Sequence, residues 1–232
     1  MRKATLLLVL LCQIAIAQKK TKKDYLVTLT TDFGTMHIVL FDDTPLHKKN
    51  FIQLVEKKFY DGLLFHRIID GFMIQGGDPN SRNAKPGERL GNGGGDMERI
   101  PFEFKPNHIH LKGALAAARD NNPEKKSSAC QFYIVDGQPR TDEEITQFAS
   151  RNKMEYTTEQ RKDYMILGGS PHLDNGYTVF GRVIDNLKVV DEIAKQPKDQ
   201  SDRPKSDIKM KMTVQKMRKK KITKKYGYQY QA

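Results

Sequence analysis

Apolar and polar positions along this chain fall into two periods. Tyr25-Leu26-Val27-Thr28-Leu29-Thr30-Thr31 and Gly34-Thr35-Met36-His37-Ile38-Val39-Leu40-Phe41 are rich in apolar and β-branched residues. They predict two strands, with Asp32-Phe33-Gly34 as the turn between them. The period then changes. Phe51, Leu54, Val55 and Phe59 recur every three or four residues and predict a helix, which Asp43 or Thr44 can cap and whose first turn suits Pro45. Short strand-like runs and glycine-rich loops follow from Leu63 to about Lys112. Leu187, Val190, Ile193 and Ala194 mark a second helix. Period two returns over 208–217, with Ile208, Met210, Met212 and Val214 on one face and Lys209, Lys211, Thr213 and Gln215 on the other. Many short strands with two helices fit a mainly β fold, a closed antiparallel barrel with helical lids. Composition alone does not separate that from a β-sandwich.

Residues 137–170 carry two capping boxes. Thr141-Asp142-Glu143-Glu144 precedes Ile145 and Phe148, and Thr157-Thr158-Glu159-Gln160 precedes Tyr164 and Met165. Two short helices are predicted, ending near Gly168-Gly169. The segment reads as a helical insertion, serving either substrate selection or only surface elaboration.

The ends change the picture. Arg2 and Lys3, the apolar stretch from Leu6 to about Ile16 and the Ala15-Ile16-Ala17 site have the form of a secretory signal peptide over 1–17. That stretch is shorter than the roughly 20 residues of a membrane span. Cys12 raises lipoprotein anchoring, but Leu11 before it is bulky, and soluble export to a periplasm or the medium is the expectation. The rest holds one cysteine, Cys130, which excludes an intramolecular disulfide; within an apolar strand it is expected to be buried and inert. The formal charge is +12. Much of it is local: Lys216, Arg218, Lys219, Lys220, Lys221, Lys224 and Lys225 lie close together, before Tyr226-Gly227-Tyr228-Gln229-Tyr230. Residues 218–232 show no apolar periodicity and are expected to be a disordered basic tail. It is either a solvated tail or a weak attachment to anionic surfaces. Export makes nucleic acid a poor partner. The folded domain is assigned to 18–217, and a monomer is expected.

The chemistry concentrates in Phe65-His66-Arg67-Ile68-Ile69-Asp70-Gly71-Phe72-Met73-Ile74-Gln75-Gly76-Gly77-Asp78-Pro79. Two further blocks follow in order. One is Gly113-Ala114-Leu115-Ala116-Ala117-Ala118-Arg119 with Ser127-Ser128-Ala129-Cys130-Gln131-Phe132-Tyr133-Ile134; the other is Leu173-Asp174-Asn175-Gly176-Tyr177-Thr178-Val179-Phe180-Gly181-Arg182-Val183. Together they resemble the cyclophilins, which are peptidyl-prolyl cis-trans isomerases. The resemblance covers about 25–195 and extends more weakly to 217. It implies an eight-stranded antiparallel barrel with a helix at each open end. It also implies a site with Arg67 as catalytic donor and Gln75 orienting it. Phe72 and Met73 would line a proline pocket, Ala118 and Arg119 would offer backbone to the residues before proline, and Gln131 would hydrogen-bond the substrate. Tyr133, Leu173 and Tyr177 would complete the wall.

Unfolded or partly folded proteins with X-Pro bonds are the implied partners, met either by an enzyme or by a proline-segment-binding chaperone or adaptor with little catalysis. Rotation about the bond breaks nothing, so no nucleophile, cofactor or metal is expected. His108 and His110 read as surface or strand histidines, and the glycines of 91–95 lack the Lys-Ser/Thr of a phosphate loop. The chain departs from the family pattern at Ala117 (usually methionine), Arg119 (asparagine), Tyr133 (phenylalanine), His172 (tryptophan in many eukaryotic members) and Tyr177 (often histidine). Cyclosporin binding is therefore expected to be weak.

Overall fold

The period-two segments at the start of the chain pair with each other. The computed structural model describes residues 22–230, so the expected leader over 1–17 and Cys12 lie outside the described residues. Strands β1 (Lys23–Thr31) and β2 (Gly34–Leu40) form an antiparallel hairpin in register from Leu26↔Val39 to Thr31↔Gly34. Six more strands follow: β3 (Phe65–Ile69), β4 (Met73–Gly76), β5 (Ala114–Ala117), β6 (Phe132–Val135), β7 (Val179–Asp185) and β8 (Lys211–Arg218). The order is β3-β4-β6-β5-β7-β2-β1-β8, and every neighbouring pair is antiparallel.

The eight strands curl into a half-barrel rather than the closed ladder expected. The two edge strands meet only through the segments beside them, at a Leu64↔Lys209 bridge with Phe65 N donating to Ile208 O at 2.9 Å. Farther along β3, a loop takes the free edge instead, and Ile68 N donates to the carbonyl of Asp202 at 2.9 Å.

The main core lies inside this curl and is built from Val27, Leu29, Met36, Ile38, Phe51, Phe132, Phe180, Met210 and Met212 among others. Helix α1 (Pro45–Glu56) buries Phe51, Leu54 and Val55 against it, as the spacing predicts. Its cap differs from expectation. Thr44 makes no side-chain cap bond; its hydroxyl donates to Phe41 O at 3.3 Å. Glu103 does the capping from a distant loop, its carboxylate accepting from Leu46 N at 3.1 Å and His47 N at 3.0 Å. A carboxylate there meets both the unpaired amides and the positive end of the helix dipole.

Helices α2 (Asp142–Asn152) and α3 (Thr158–Ile166) each begin with a complete capping box, at Thr141/Glu144 and Thr157/Gln160. Ile145 and Tyr164 from these helices form a small core with Ile109. Helix α4 (Lys188–Ala194) buries Val189, Val190, Ile193 and Ala194.

The C-terminal segment corrects the expectation of a disordered tail. Residues Lys219–Tyr226 form helix α5, which continues directly from β8. Leu26 and Val39 point to the outer face of the β1–β2 hairpin, and Ile222 covers them with Tyr226, Tyr228 and Tyr230 packed alongside. One isoleucine and three tyrosine rings supply enough apolar surface to order a segment whose lysines remain outside. No helix among the described residues is long and apolar enough to cross a membrane.

Candidate active site

Strands β5 and β6 are buried on both faces, and the second face holds the site. Phe132 and Ile134 enter the main core, while Tyr133 and Val135 point the other way and join Met73, Ala114, Ala116 and Val179. Phe72, Leu173 and Tyr177 pack over that second cluster. Register places Arg67 opposite Gln75, Gln75 opposite Tyr133, Tyr133 opposite Ala116 and Ala116 opposite Val179. These five residues form one row across five strands.

A cavity of about 120 Å³ opens on this row. It is lined by Arg67, Phe72, Met73, Gln75, Ala118, Arg119, Tyr133, Leu173 and Tyr177. Nine of the ten residues expected from the sequence thus share one pocket. The tenth, Gln131, lies in an adjoining groove of about 220 Å³ that shares Gln75, Ala118 and Arg119 with the cavity and is otherwise walled by the glycine-rich loop, Arg99 and Asp120.

Several contacts differ from the roles inferred from resemblance. Gln75 is the register partner of Arg67, but its amide donates to Gln131 Oε1 at 3.3 Å. The group facing the guanidinium is Asp202, whose Oδ2 lies 3.6 Å from Arg67 Nε. The Arg67 side chain remains 41% exposed, so its donors are accessible from the cavity. Gln131 uses its own amide to hold the loop, donating to Gly91 O and Gly93 O at 3.0 Å each. The Ala118 amide donates to Gln131 O and its carbonyl accepts from Ser128 N. Arg119 is held by its side chain, with Nε donating to Gly176 O at 2.9 Å and the guanidinium carbon 4.6 Å from the Tyr177 ring centre.

The glycines of 91–95 permit close packing. A Cβ on Gly93 would fall 2.0 Å from Asp78 Oδ1, and one on Gly94 2.4 Å from Cys130 Sγ. The carboxylate of Asp78 accepts from Asn80 N at 2.8 Å and from Gly91 N, so the loop is already closed around an anion supplied by the chain itself. Cys130 is buried, and burial pushes its thiol up.

Behind the pocket lies a polar network that sequence reasoning missed. The Tyr133 hydroxyl sits 2.9 Å from His110 Nε2, and His110 Nδ1 sits 2.6 Å from Asp174 Oδ1. Asp174 also accepts from His110 N at 2.9 Å and from the hydroxyls of Tyr156 and Tyr164 at 2.6 Å each. With Nδ1 donating to the carboxylate, Nε2 accepts from Tyr133. His110, expected on a surface or strand, is fully buried. Burial pushes the Tyr133 phenol well above its ordinary value, with Tyr177 and Asp174 adding to the rise, so it stays neutral. This network ties the pocket wall to the α2–α3 segment. Among the described residues there is no group of three or more His, Cys, Asp or Glu arranged to hold a metal.

Comparison with known proteins agrees with this geometry. The family model "Cyclophilin type peptidyl-prolyl cis-trans isomerase/CLD" matches residues 26–215. A Staphylococcus aureus protein provisionally named a peptidyl-prolyl cis-trans isomerase is 33% identical over 183 residues, covering 78% of this chain and 87% of that protein. A Streptococcus pyogenes protein provisionally named a bifunctional phosphatase/peptidyl-prolyl cis-trans isomerase is 36% identical over 189 residues, covering 78% of this chain but 37% of that longer protein. A Rhizopus delemar protein named peptidyl-prolyl cis-trans isomerase-like 2 is 31% identical over 195 residues, 83% of this chain and 29% of its own length. The chain therefore spans about a third of the length of two of these relatives. Among solved structures, a Cryptosporidium parvum cyclophilin-type isomerase superposes with a TM-score of 0.60 at 24% identity, covering 83% of this chain and 98% of that one, which supports the fold. The chain belongs to the cyclophilin-type peptidyl-prolyl cis-trans isomerase family.

Proposed function

We propose that this chain catalyses cis–trans isomerisation of X-Pro bonds, with the cavity as the proline pocket and Arg67 as the catalytic donor. The observation that carries this reading is the accessible guanidinium of Arg67 on the same cavity as Phe72, Met73, Leu173 and the rings of Tyr133 and Tyr177, while the second guanidinium there, Arg119, is tied to Gly176 O and the Tyr177 ring. A peptide bond resists rotation by roughly 18–20 kcal/mol because the nitrogen lone pair is delocalised into the carbonyl. At X-Pro the two isomers are close in energy but exchange in tens to hundreds of seconds.

Twisting returns the lone pair to the prolyl nitrogen. A donor aimed there binds the twisted amide more tightly than either planar isomer, and that difference is catalysis. Arg67 supplies fixed N–H groups and a permanent charge. Phe72, Met73 and Leu173 supply the apolar surface for the ring. The Arg119 backbone, next to the shared edge of cavity and groove, is available to the residues before proline. A relative of the same fold was solved with the dipeptide Ala-Pro, which supports a proline-containing substrate here. The binding-only chaperone reading is not favoured by these relatives.

Export is part of the proposal. The residues over 1–17 have the form of a leader, which would bring the enzyme to exported proteins during folding; N-terminal sequencing of the mature protein would find cleavage after Ala17. A protease-coupled assay on an X-Pro peptide tests the activity. No acceleration over the uncatalysed rate would remove this reading.

A further inference from the structure

The aromatic wall of the cavity does not stop at its rim. Phe72 lines the cavity, and its ring lies 5.3 Å from that of His172. The His172 ring lies 5.9 Å from that of Phe148 on α2, and the guanidinium carbon of Arg151 sits 5.8 Å from the Phe148 ring. His172 is exposed, while Phe72 and Phe148 are half-buried. We propose that Phe72, His172 and Phe148 form a subsite for an aromatic side chain two or three residues after the proline of a bound segment. This rests on the isomerase reading and deepens it.

Four observations carry the assignment. The first is continuity: Leu173 lines the cavity and belongs to the same 3₁₀ turn, Pro171–Leu173, as His172. The second is direction. Gln75, Ala118 and Arg119 line both cavity and groove, whereas Phe72 and Leu173 line the cavity alone. The rings therefore lead away from the side assigned to the residues before proline. The third is reach. Extended chain advances about 3.3 Å per residue, so the first ring step, 5.3 Å from Phe72 to His172, reaches towards the second residue after the proline, and that step followed by the 5.9 Å from His172 to Phe148 reaches the third.

The fourth is rigidity. Asn152 at the end of α2 donates to Pro171 O at 2.8 Å, fastening helix and turn together, and the Tyr156 hydroxyl, bonded to Asp174, lies 3.4 Å from the same carbonyl. Ile145 anchors α2 in its own small core, and Phe148 lies one turn farther along that face. The rings are held in place before any ligand arrives, which lowers the ordering cost of binding. Partial desolvation of its ring against Phe72 and Phe148, with His110 and Arg140 nearby, holds the His172 imidazole below its ordinary value and leaves it an uncharged ring at neutral pH. Stacked and edge-on aromatic pairs then favour an aromatic over an aliphatic occupant.

The test is a peptide set with one X-Pro bond in an alanine background and a single Phe at the first, second or third residue after the proline, or absent. Wild type is expected to show kcat/KM about fivefold higher for Phe at the second or third position than for the all-alanine peptide. In Phe148→Ala, and separately in His172→Ala, that ratio should fall towards one. Each ratio is taken within one variant, so a general loss of activity does not mimic the effect. A flat wild-type series, or a ratio that survives in both variants, would overturn the subsite. If wild type turns over no peptide, the isomerase reading fails instead. Equilibrium binding of the same set by calorimetry then decides the subsite on the same ratio.

Discussion

Asp202 holds Arg67 in two ways: its carboxylate lies 3.6 Å from Arg67 Nε, and its carbonyl accepts from the next amide, Ile68 N, at 2.9 Å. The loop that occupies the open edge of β3 therefore also faces the proposed catalytic cation. Asp202 binds Lys198 as well, at 2.6 Å, so its charge is shared.

Asp202→Asn keeps the backbone bond and removes the charge. Both partners are partly exposed, so stability should change by less than about 1 kcal/mol in urea unfolding. Looser positioning of the guanidinium should lower kcat/KM about two- to tenfold. Unchanged turnover would show that Asp202 does not orient Arg67.

The network behind the pocket predicts unequal losses. Tyr133→Phe leaves His110 Nε2 buried without its donor and should cost about 1–2 kcal/mol in chemical denaturation. Asp174→Ala strands three donors, His110 N, His110 Nδ1 and the Tyr164 hydroxyl, leaves the Tyr156 hydroxyl only Pro171 O, and should cost at least about 3 kcal/mol. Equal losses from the two variants would contradict the network.

His66 predicts acid sensitivity. It is buried, neither ring nitrogen has a hydrogen-bond partner among the described residues, and burial is the chief reason its pKa falls from 6.5 to about 4. The unfolded chain therefore binds a proton between these values that the folded chain does not. Stability contributed by keeping this ring neutral is complete above pH 6.5 and is lost as pH falls towards 4, by on the order of 3 kcal/mol. Urea midpoints measured across that window should drop for wild type and drop less for His66→Phe.

Helix α5 predicts that the C-terminal segment stabilises the fold. Ile222 is fully buried against Leu26 and Val39. Ile222→Ala should cost about 2–4 kcal/mol, whereas a solvated tail would tolerate it. Thermal unfolding of this variant separates the two.

Legibility followed periodicity and local chemistry. The first hairpin, the buried face of α1, both capping boxes and the alternation of Ile208, Met210 and Met212 were readable, because each signal lies within a few residues of the element it specifies. Nine cavity residues were readable from ordered motifs. What escaped depends on contacts between distant segments. Glu103 replaces the local cap of α1 from 56 residues away, and Asp174 meets His110 across 64. Asp202 approaches β3 from a loop with no motif of its own. The basic tail looked unstructured because one buried isoleucine makes no period. The signal was on its partner instead, in Leu26, an apolar residue out of phase with Val27 and Leu29 on β1.

Arg67 is the group proposed to stabilise the twisted amide. The direct test is kcat/KM for an X-Pro peptide, measured for wild type and Arg67→Ala with thermal unfolding of both in parallel. Wild type should show clear acceleration and the variant a loss of about a hundredfold, at closely similar melting temperature. A folded Arg67→Ala variant that retains nearly the full wild-type rate would contradict that role.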